Sequence, residues 1–430
     1  MKTSLPQAPS AVRWIVRTLE DAGYETWAVG GAVRDALAGR PGGDWDLATR
    51  ARPSAIRSLF RRTVPIGIEH GTVGILTRGG TLIEITTFRR DVETDGRHAV
   101  VEFAETIVED LARRDFTINA IAWHPLREEL YDPFDGAGDL ERGVLRTVGR
   151  AEDRFREDYL RILRALRFAG RFELEIQAVT WQAARSLVEH LPELSPERVR
   201  EELLKILDDD PAPSRALHLY AASGTLRVLY PELEALRNAR PAVWARCLTV
   251  LERLPPGRWV LRLAALLRPL PSEETAAVLV RLRLSNAATD EVARLADADP
   301  MPPPGTPDAD VRRWLSRHGA ERLNDLARLE LAAARGGGKA EARAVAASWA
   351  RARSILRGRP PLSVSDLALD GRDLIRLGMK PGPRFGDILD ELLDWVLEDP
   401  ARNERSLLEE RALEIASETG ETASAGERDG

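Results

Sequence analysis

The chain has 430 residues, 43% hydrophobic and 30% charged, a composition typical of a globular protein with several domains. Its net charge of −6 argues weakly against a nucleic-acid partner, so such a partner requires a local basic surface. A single cysteine, Cys247, excludes an intrachain disulfide framework, and no apolar run is long enough to cross a membrane, so we expect a soluble cytoplasmic protein.

The first 145 residues mix helical and extended patterns, which predicts an α+β domain. The predicted elements in chain order are a helix over residues 10–22, a strand over 27–29, a helix over 32–38, and strands over 72–76 and 81–88 joined by a turn at Gly79-Gly80. After about residue 145 the strand patterns disappear, and helical spacing recurs over residues 158–168, 196–207, 242–254, 260–267, 289–295, 310–318 and 340–355.

Two aspartates one residue apart, Asp44 and Asp46, follow the glycine pair Gly30-Gly31. On an extended strand the two carboxylates would point to the same face and repel each other, unless a hard cation such as Mg²⁺ binds both. The glycine pair lets a ligand approach the backbone closely, and the following helix, with Arg34 in its first turn, offers N–H donors to a phosphate. An ordinary solvated loop is the alternative reading of the Asp-x-Asp pair.

Arginines cluster at two places rather than being spread along the chain. Arg113 and Arg114 are adjacent, and six more crowd one helical stretch: Arg154, Arg156, Arg161, Arg164, Arg167 and Arg171. Such a stretch has fewer acids than a solvated helix usually carries, which favours a phosphate-binding surface. A salt-bridged helix with no further role is the alternative.

Five blocks in this order resemble those of the CCA-adding tRNA nucleotidyltransferases and the related bacterial poly(A) polymerases, within the polymerase-beta-like nucleotidyltransferase superfamily. They are GGAVRD, DWDLAT, RRDFTINA, YDPFDGAGDL and RFREDYLRILRALRFAGRF. The resemblance implies an α+β nucleotidyltransferase head over residues 1–145, followed by an all-α neck over 146–212, body over 213–335 and tail over 336–415. The low apolar content of residues 416–430 predicts a disordered end. The body looks like a degenerate His-Asp phosphohydrolase region, because Arg268 and Pro269 stand at the His-Asp position.

The resemblance also implies an activity. Asp44 and Asp46 are expected to hold Mg²⁺, with Glu84 either a third catalytic carboxylate or a solvent-facing strand acid. The enzyme is expected to bind the 3′ end and acceptor arm of tRNA and to add CCA from CTP and ATP, releasing pyrophosphate and needing no obligate protein partner. The alternatives are a poly(A) polymerase or a CC-only or A-only enzyme on the same scaffold, and more remotely a non-catalytic RNA-binding protein.

Base selection is predicted to reside in the EDYLR block. Asp158 and Arg161 lie three apart on a predicted helix, so a carboxylate acceptor stands beside a guanidinium donor. Cytosine and adenine present the complementary amine and ring nitrogen, whereas uracil and guanine present a carbonyl that faces the carboxylate. The resemblance adds Arg114, Arg164 and Arg167 as nucleotide contacts; helical spacing directs Arg164 and Arg167 toward triphosphate, RNA or neighbouring acids rather than the base.

Residues 88–103 are polar and turn-prone. The resemblance implies a mobile loop here, with Arg89, Asp91, Asp95 and Arg97, that helps the pocket change from CTP to ATP. A solvated loop without a role is the alternative.

Overall fold

The computed structural model describes residues 7–40, 43–68, 71–94 and 99–418. The chain forms two compact units, Met1–Ala239 with Val280–Arg283, and Arg240–Leu279 with Leu284–Gly430. Among the described residues, no helix is both long and apolar enough to cross a membrane. The finer predicted division into head, neck, body and tail stays a prediction.

The strands all belong to the first unit. In chain order they are β1 (Thr26–Val29), β2 (Asp46–Thr49), β3 (Thr63–Gly67), β4 (Thr72–Leu76), β5 (Leu82–Thr87), β6 (Arg89–Thr94), β7 (Ala99–Phe103), β8 (Ala122–His124), β9 (Glu129–Tyr131), β10 (Val144–Leu145) and β11 (Glu175–Ile176). Seven of them form one sheet in the order β3-β4-β5-β2-β1-β8-β9, β6 and β7 form a separate hairpin, and β10 and β11 form a short parallel pair.

The helices of the first unit surround this sheet and continue beyond it. They are α1 (Ser10–Asp21), α2 (Gly31–Leu37), α3 (Pro53–Leu59), α4 (Ile107–Ala112), α5 (Gly136–Arg142), α6 (Ala151–Glu157), α7 (Leu160–Phe172), α8 (Ala178–Leu187), α9 (Pro196–Asp209), α10 (Pro213–Ser223), α11 (Thr225–Leu229) and α12 (Pro231–Ala239).

The second unit is helical throughout its described part. Its helices are α13 (Pro241–Arg253), α14 (Trp259–Leu267), α15 (Ser272–Leu282, whose last three residues belong to the first unit), α16 (Asn286–Ala296), α17 (Asp308–His318), α18 (Leu323–Ala334), α19 (Lys339–Arg357), α20 (Gly371–Arg376), α21 (Arg384–Glu398) and α22 (Arg405–Glu418). Cys247 is buried on α13 and donates to the carbonyl oxygen of Ala265, and burial raises the pKa of its thiol to about 12. It is a core residue.

The two faces of the large sheet have different neighbours. One face packs against α1 and α3 through a core that includes Val12, Ile56 and Ile85. On the other face Ala48 packs with Ile107 and other apolar side chains. Because alternate residues of a strand share a face, Asp46 lies on the same face as Ala48, at the start of β2.

The elements predicted from sequence patterns are confirmed in the head, and four corrections apply along the whole chain. In the segment expected as a loop over residues 88–103, β6 and β7 pair in antiparallel register from Arg89–Phe103 to Thr94–Ala99. Strands do not end at residue 145, since β11 pairs with β10. The helix expected from Asp158 begins only at Leu160. Residues 416–418, expected to be disordered, are the last turn of α22, while 419–430 lie outside the described residues.

The edge of the sheet at β3 is irregular. Pro65 lies in the middle of β3, and the register with β4 shifts between Pro65 and Gly67. A proline has no N–H to donate to a ladder, so it is tolerated at an edge strand, and the shift is the mark of a bulge. Val64, Ile66 and Leu82 are large apolar side chains left exposed near this edge.

Candidate active site

A pocket of about 540 Å³ opens in the first unit beside the start of β2. It brings together residues from β1, α2, β2, β5, α4 and α7 and from the segments that join them. Its polar lining includes Gly30, Gly31, Arg34, Asp46, Glu84, Arg89, Arg113, Arg114, Asp115, Asn119, Asp158, Arg161, Arg164 and Arg198. Most residues that the sequence nominated therefore lie around one cavity.

Two carboxylates occupy the floor of the pocket. Asp46 begins β2 and is paired in register with Glu84 on β5, so these side chains share one face of the sheet. Burial, the nearby Glu84 and the nearby Asp44 raise the pKa of Asp46 to about 6, against the opposing effect of Arg114. None of the described residues donates a hydrogen bond to Asp46 or Glu84, and Arg114 offsets the charge of Asp46 only in part.

Asp44 differs from its expected placement. It precedes β2 rather than lying on it, so strand geometry does not set its side chain beside that of Asp46. Trp45, between the two, packs at 5.9 Å from Trp123 and thereby directs its own side chain into the core. Within the described ranges, no group of three His, Cys, Asp or Glu side chains forms a ready-made metal site. Two carboxylates and substrate oxygens nevertheless fit Mg²⁺, which commonly keeps few protein ligands.

The glycine turn lies directly against these carboxylates. Gly30 caps α2 with φ of 77°, in the left-handed region that favours glycine. A Cβ atom there would lie 3.3 Å from Asp46 Oδ2 and 3.6 Å from Arg114 Nη1. A side chain at Gly30 would therefore be strained and would crowd both the Asp46 carboxylate and the Arg114 guanidinium.

Arg34 is held rigidly inside the wall of the pocket. Its Nε donates to Asp35 Oδ1 at 2.8 Å, its Nη1 donates to Asn119 Oδ1 at 2.7 Å, and its guanidinium lies 4.9 Å from the Phe168 ring centre. Burial lowers the pKa of Arg34 despite the opposing effect of Asp35. Arg34 thus joins α2 to α7 as well as lining the cavity.

Asp110 on α4 holds the two adjacent arginines of RRDFTINA. Arg113 Nη2 donates to Asp110 Oδ1 at 2.9 Å, and Arg114 Nη2 donates to Asp110 Oδ2 at 3.0 Å. Burial opposes ionisation of Asp110, but the two guanidinium groups outweigh it and lower its pKa. One buried carboxylate therefore orients two cations toward the pocket.

Asp115 orients an arginine of α7 in the same way. Its side chain is 8% exposed and accepts from Arg164 Nε at 2.7 Å and from Asn119 Nδ2 at 2.9 Å. Burial opposes ionisation, but Arg164 and the hydrogen bonds from Asn119 and the Phe116 N–H lower the pKa of Asp115 to about 2. Because Asn119 also accepts from Arg34, hydrogen bonds run unbroken from α7 to α2.

Arg167 is buried behind the wall formed by Arg164 and Phe168. Its Nε donates to Glu202 Oε2 at 2.6 Å, and Lys205 adds a second cation to the same carboxylate at 3.0 Å. Burial opposes ionisation of Glu202, but Arg167, Arg164 and Lys205 outweigh it and lower its pKa. Arg167 therefore joins α7 to α9.

The EDYLR block is broken where the sequence predicted a continuous helix. Asp158 has φ of −159° and ψ of 106°, an extended conformation between α6 and α7. Its Oδ1 accepts from the Leu160 N–H at 3.1 Å, and its Oδ2 accepts from Arg198 Nη2 at 2.7 Å. Arg161 instead pairs with Glu157 and donates to the Arg154 carbonyl at 3.0 Å. Both Asp158 and Arg161 line the pocket, but they are not neighbours on one helix.

The hairpin that replaces the expected loop reaches the pocket at its base. Arg89, the first residue of β6, lines the cavity. Arg90 contacts Glu102 at 3.1 Å and Glu109 at 3.7 Å, which ties the hairpin to the start of α4. Asp91 lies on β6, while Asp95 and Arg97 fall outside the described residues.

Comparison with known proteins decides the family. Residues 26–146 match the poly A polymerase head domain, and residues 173–236 match the probable RNA and SrmB-binding site of polymerase A. A CCA-adding enzyme of Lactobacillus delbrueckii subsp. bulgaricus is 35% identical over 404 residues, covering 92% of this chain and 95% of that one. The chain belongs to the CCA-adding enzyme family.

Two further CCA-adding enzymes are similar to this chain. The one from Lactiplantibacillus plantarum is 46% identical over 207 residues, which is 48% of this chain and 50% of that one. The structure of the Bacillus stearothermophilus enzyme in complex with CTP is 31% identical, with a TM-score of 0.78 over 95% of this chain and 98% of that chain. The predicted family, the α+β head followed by helices and the nucleotidyltransferase class are all confirmed.

Sequence reasoning missed several residues in and behind the wall of the pocket. They are two acids and an amide that hold arginines, together with one arginine of α9: Asp110, Glu202, Asn119 and Arg198. Asp110 and Asn119 lie four residues to either side of the Arg114-Asp115 pair, a spacing that could have nominated them. Nothing in the local sequence of α9 connects Glu202 or Arg198 with α7, because that contact spans about forty residues.

Proposed function

We propose that this nucleotidyltransferase adds cytidine, cytidine and adenosine to the 3′ end of tRNA, using CTP and ATP with Mg²⁺ and releasing pyrophosphate. The observation that carries the proposal is the single pocket in which Asp46 and Glu84 face Arg114, Arg161 and Asp158. A buried free thiol at Cys247 suits a reducing cytoplasm, which is where we place the reaction.

Asp44 and Asp46 are the residues proposed to hold Mg²⁺. The raised pKa of Asp46 supports this assignment, because the carboxylate lacks a described hydrogen-bond donor and a divalent cation would compensate its charge. When bound, the ion neutralises charge on the triphosphate and lowers the pKa of the attacking 3′-hydroxyl. Glu84 is proposed as a third acid facing the same space, through its register with Asp46.

The remaining residues are proposed to position the triphosphate. The turn at Gly30-Gly31 allows the backbone to approach phosphate oxygens, and Arg113 and Arg114 present guanidinium groups already oriented by Asp110. Such cations act by positioning and by stabilising charge that develops during the displacement. Preorganisation by buried acids removes the need to reorient these groups during reaction.

Asp158 and Arg161 are proposed to select the base. Asp158 offers acceptor oxygens to an exocyclic amine, and Arg198 holds its carboxylate in place. A carbonyl in place of the amine would face that carboxylate without a hydrogen bond, which disfavours uracil and guanine. Selection then follows from the side chains of the protein rather than from a template strand.

The test is to supply a tRNA transcript that lacks its terminal CCA with CTP, ATP or both, and to size the products. We expect two additions with CTP alone and three with both nucleotides. A product that stops at two additions with both nucleotides, or a long adenosine tail, would instead identify one of the alternative enzymes on this scaffold.

A further inference from the structure

The sheet continues past the catalytic carboxylates toward its irregular edge, and there its surface becomes apolar. On β5, Leu82 precedes Glu84 by two residues, so both side chains point to the same face, about 7 Å apart along the strand. Leu82 is 42% exposed and Ile66 on β3 is 41% exposed. We call the surface formed by Val64, Ile66 and Leu82 the apolar shelf.

Gly74 on β4 creates the floor of the shelf. It is paired with both Val64 and Glu84 in the sheet. A Cβ atom at Gly74 would lie 2.7 Å from Ile66 Cδ1 and 2.9 Å from Leu82 Cδ1, so these two side chains meet across it. The shelf is thus a continuous apolar surface that adjoins Glu84 directly.

The position of the shelf relative to the nucleotide pocket is set by strand order. Asp46 on β2 has β1 on one side, and β1 leads into the Gly30-Gly31 turn. On its other side lie β5, β4 and β3, which carry Glu84 and the shelf. If the triphosphate occupies the glycine side, the attacking hydroxyl must approach Asp46 from a different direction, and the shelf side is open.

Three exposed arginines border the far end of the shelf. Arg61 and Arg62 precede β3, and Arg78 lies in the turn between β4 and β5. The Leu76 N–H donates to the carbonyl of Arg62, and Leu76 is paired with Leu82, which places this end of the sheet beside the shelf. Within the described part of the chain none of the three arginines forms an ion pair, so their charge is available to a ligand.

We propose that the apolar shelf receives the last bases of the RNA strand being extended, while Arg61, Arg62 and Arg78 contact its phosphates. Bases present flat apolar faces and the backbone carries one negative charge per nucleotide, which matches an apolar surface bordered by arginines that form no ion pair with described residues. The inference rests on the proposed function, since it assigns the approach path of the hydroxyl that attacks at Asp46.

The first test compares Leu82→Ser and Ile66→Ser with the wild-type enzyme. Val280→Ser is the matched control, since Val280 is 74% exposed on α15 and lies outside the pocket and the shelf. We expect the KM for tRNA to rise roughly five- to tenfold in the shelf variants through lost apolar contact, while the affinity for CTP stays unchanged. If a serine variant fails to fold, Leu82→Thr, which suits a strand, is judged by the same KM criterion.

An unchanged KM for tRNA in shelf variants that fold and bind CTP would overturn the shelf alone. A wild-type protein that extends no tRNA would overturn the proposed function and the shelf with it. Conversion of a dimer to a monomer by Leu82→Ser would identify the shelf as a contact between two copies of the chain, and would also overturn the proposal.

The second test measures how tRNA affinity depends on salt. Replacing all three arginines by alanine is expected to reduce the slope of log affinity against log salt by about two, since each contact with a single strand contributes roughly 0.7. The triple lysine variant retains the charge and should retain the slope. Equal slopes in the wild type and the alanine variant would overturn the phosphate contacts.

Discussion

Asp46 combines two unusual features. Its carboxylate is close enough to Asp44 and Glu84 for both to raise its pKa, and a Cβ atom at Gly30 would lie 3.3 Å from its Oδ2. An ordinary solvated loop aspartate has neither feature. The sequence singled out this residue because glycine turns and acidic pairs are local patterns.

Substitution of Asp46 by alanine is expected to abolish nucleotide incorporation, lowering it by about a thousandfold or more, because preorganised charge at the reacting centre is lost. tRNA affinity should not fall, since a negative charge is removed. Incorporation assays and tRNA titrations measure the two effects. Asp153→Ala is the matched control, because Asp153 lies on the exposed side of α6. If Asp46→Ala turned over nearly as fast as this control, the assignment of Asp46 to the metal site would be wrong.

The ionisation of Asp115 makes the free energy of unfolding depend on pH. Its folded pKa of about 2 lies below the ordinary value of 3.8, so its stabilising effect is complete above pH 4 and is lost as the pH falls from about 4 to 2. The shift corresponds to about 2 kcal/mol of unfolding free energy, of which roughly half is lost by pH 3. Urea unfolding of the wild type and Asp115→Asn at pH 7 and pH 3 measures this, and the difference between them should shrink at pH 3. A difference that grows on acidification would contradict the assignment.

Among the secondary-structure elements, the break between helices α6 and α7 matters most for base selection. Helical spacing predicted that Asp158 and Arg161 would be neighbours, whereas Asp158 is extended and is held by Arg198 from α9. Local periodicity cannot reveal such a break, because the contact that stabilises it joins residues forty positions apart. The pairing of β6 with β7 was missed because neither RRDVET nor AVVEF alternates apolar and polar residues, and the two strands form a sheet of their own.

Asp158→Ala is expected to loosen base selection. We expect the ratio of kcat/KM for CTP to that for UTP to fall about tenfold or more, since the acceptor for the exocyclic amine is removed. The ratio is measured from the steady-state rates at which each nucleotide is added to the same tRNA acceptor. An unchanged ratio would mean that the base is read elsewhere in the pocket.

Charge is distributed unevenly over the whole molecule. The net charge of −6 would suggest repulsion from RNA, yet the pocket gathers arginines, and the buried acids Asp110, Asp115 and Glu202 in and behind its wall are each paired with an arginine. Fold class and most pocket residues followed from sequence patterns. Glu202 did not, because its pairing with Arg167 joins two helices and is a property of packing.

Cys247 offers a measurement on the second unit. Burial raises the pKa of its thiol to about 12, so at pH 8 the reactive thiolate is scarce and the sulfur is enclosed. We expect negligible reaction with a disulfide reagent at pH 8 in the native protein and one thiol per chain in denaturant. The absorbance of the thiolate released from the reagent measures the reaction in the native and in the denatured protein. Rapid native labelling would show that the core around α13 opens readily.

The bulge at Pro65 has a consequence for solubility. An exposed strand at the border of a sheet is a template on which strands of other molecules can add, and apolar side chains there increase the risk of aggregation. Pro65 removes one N–H from that border, and the shift of register before Gly67 interrupts the regular spacing of the others. The protein can therefore expose Val64, Ile66 and Leu82 for contact through side chains while denying a neighbouring molecule a continuous backbone ladder.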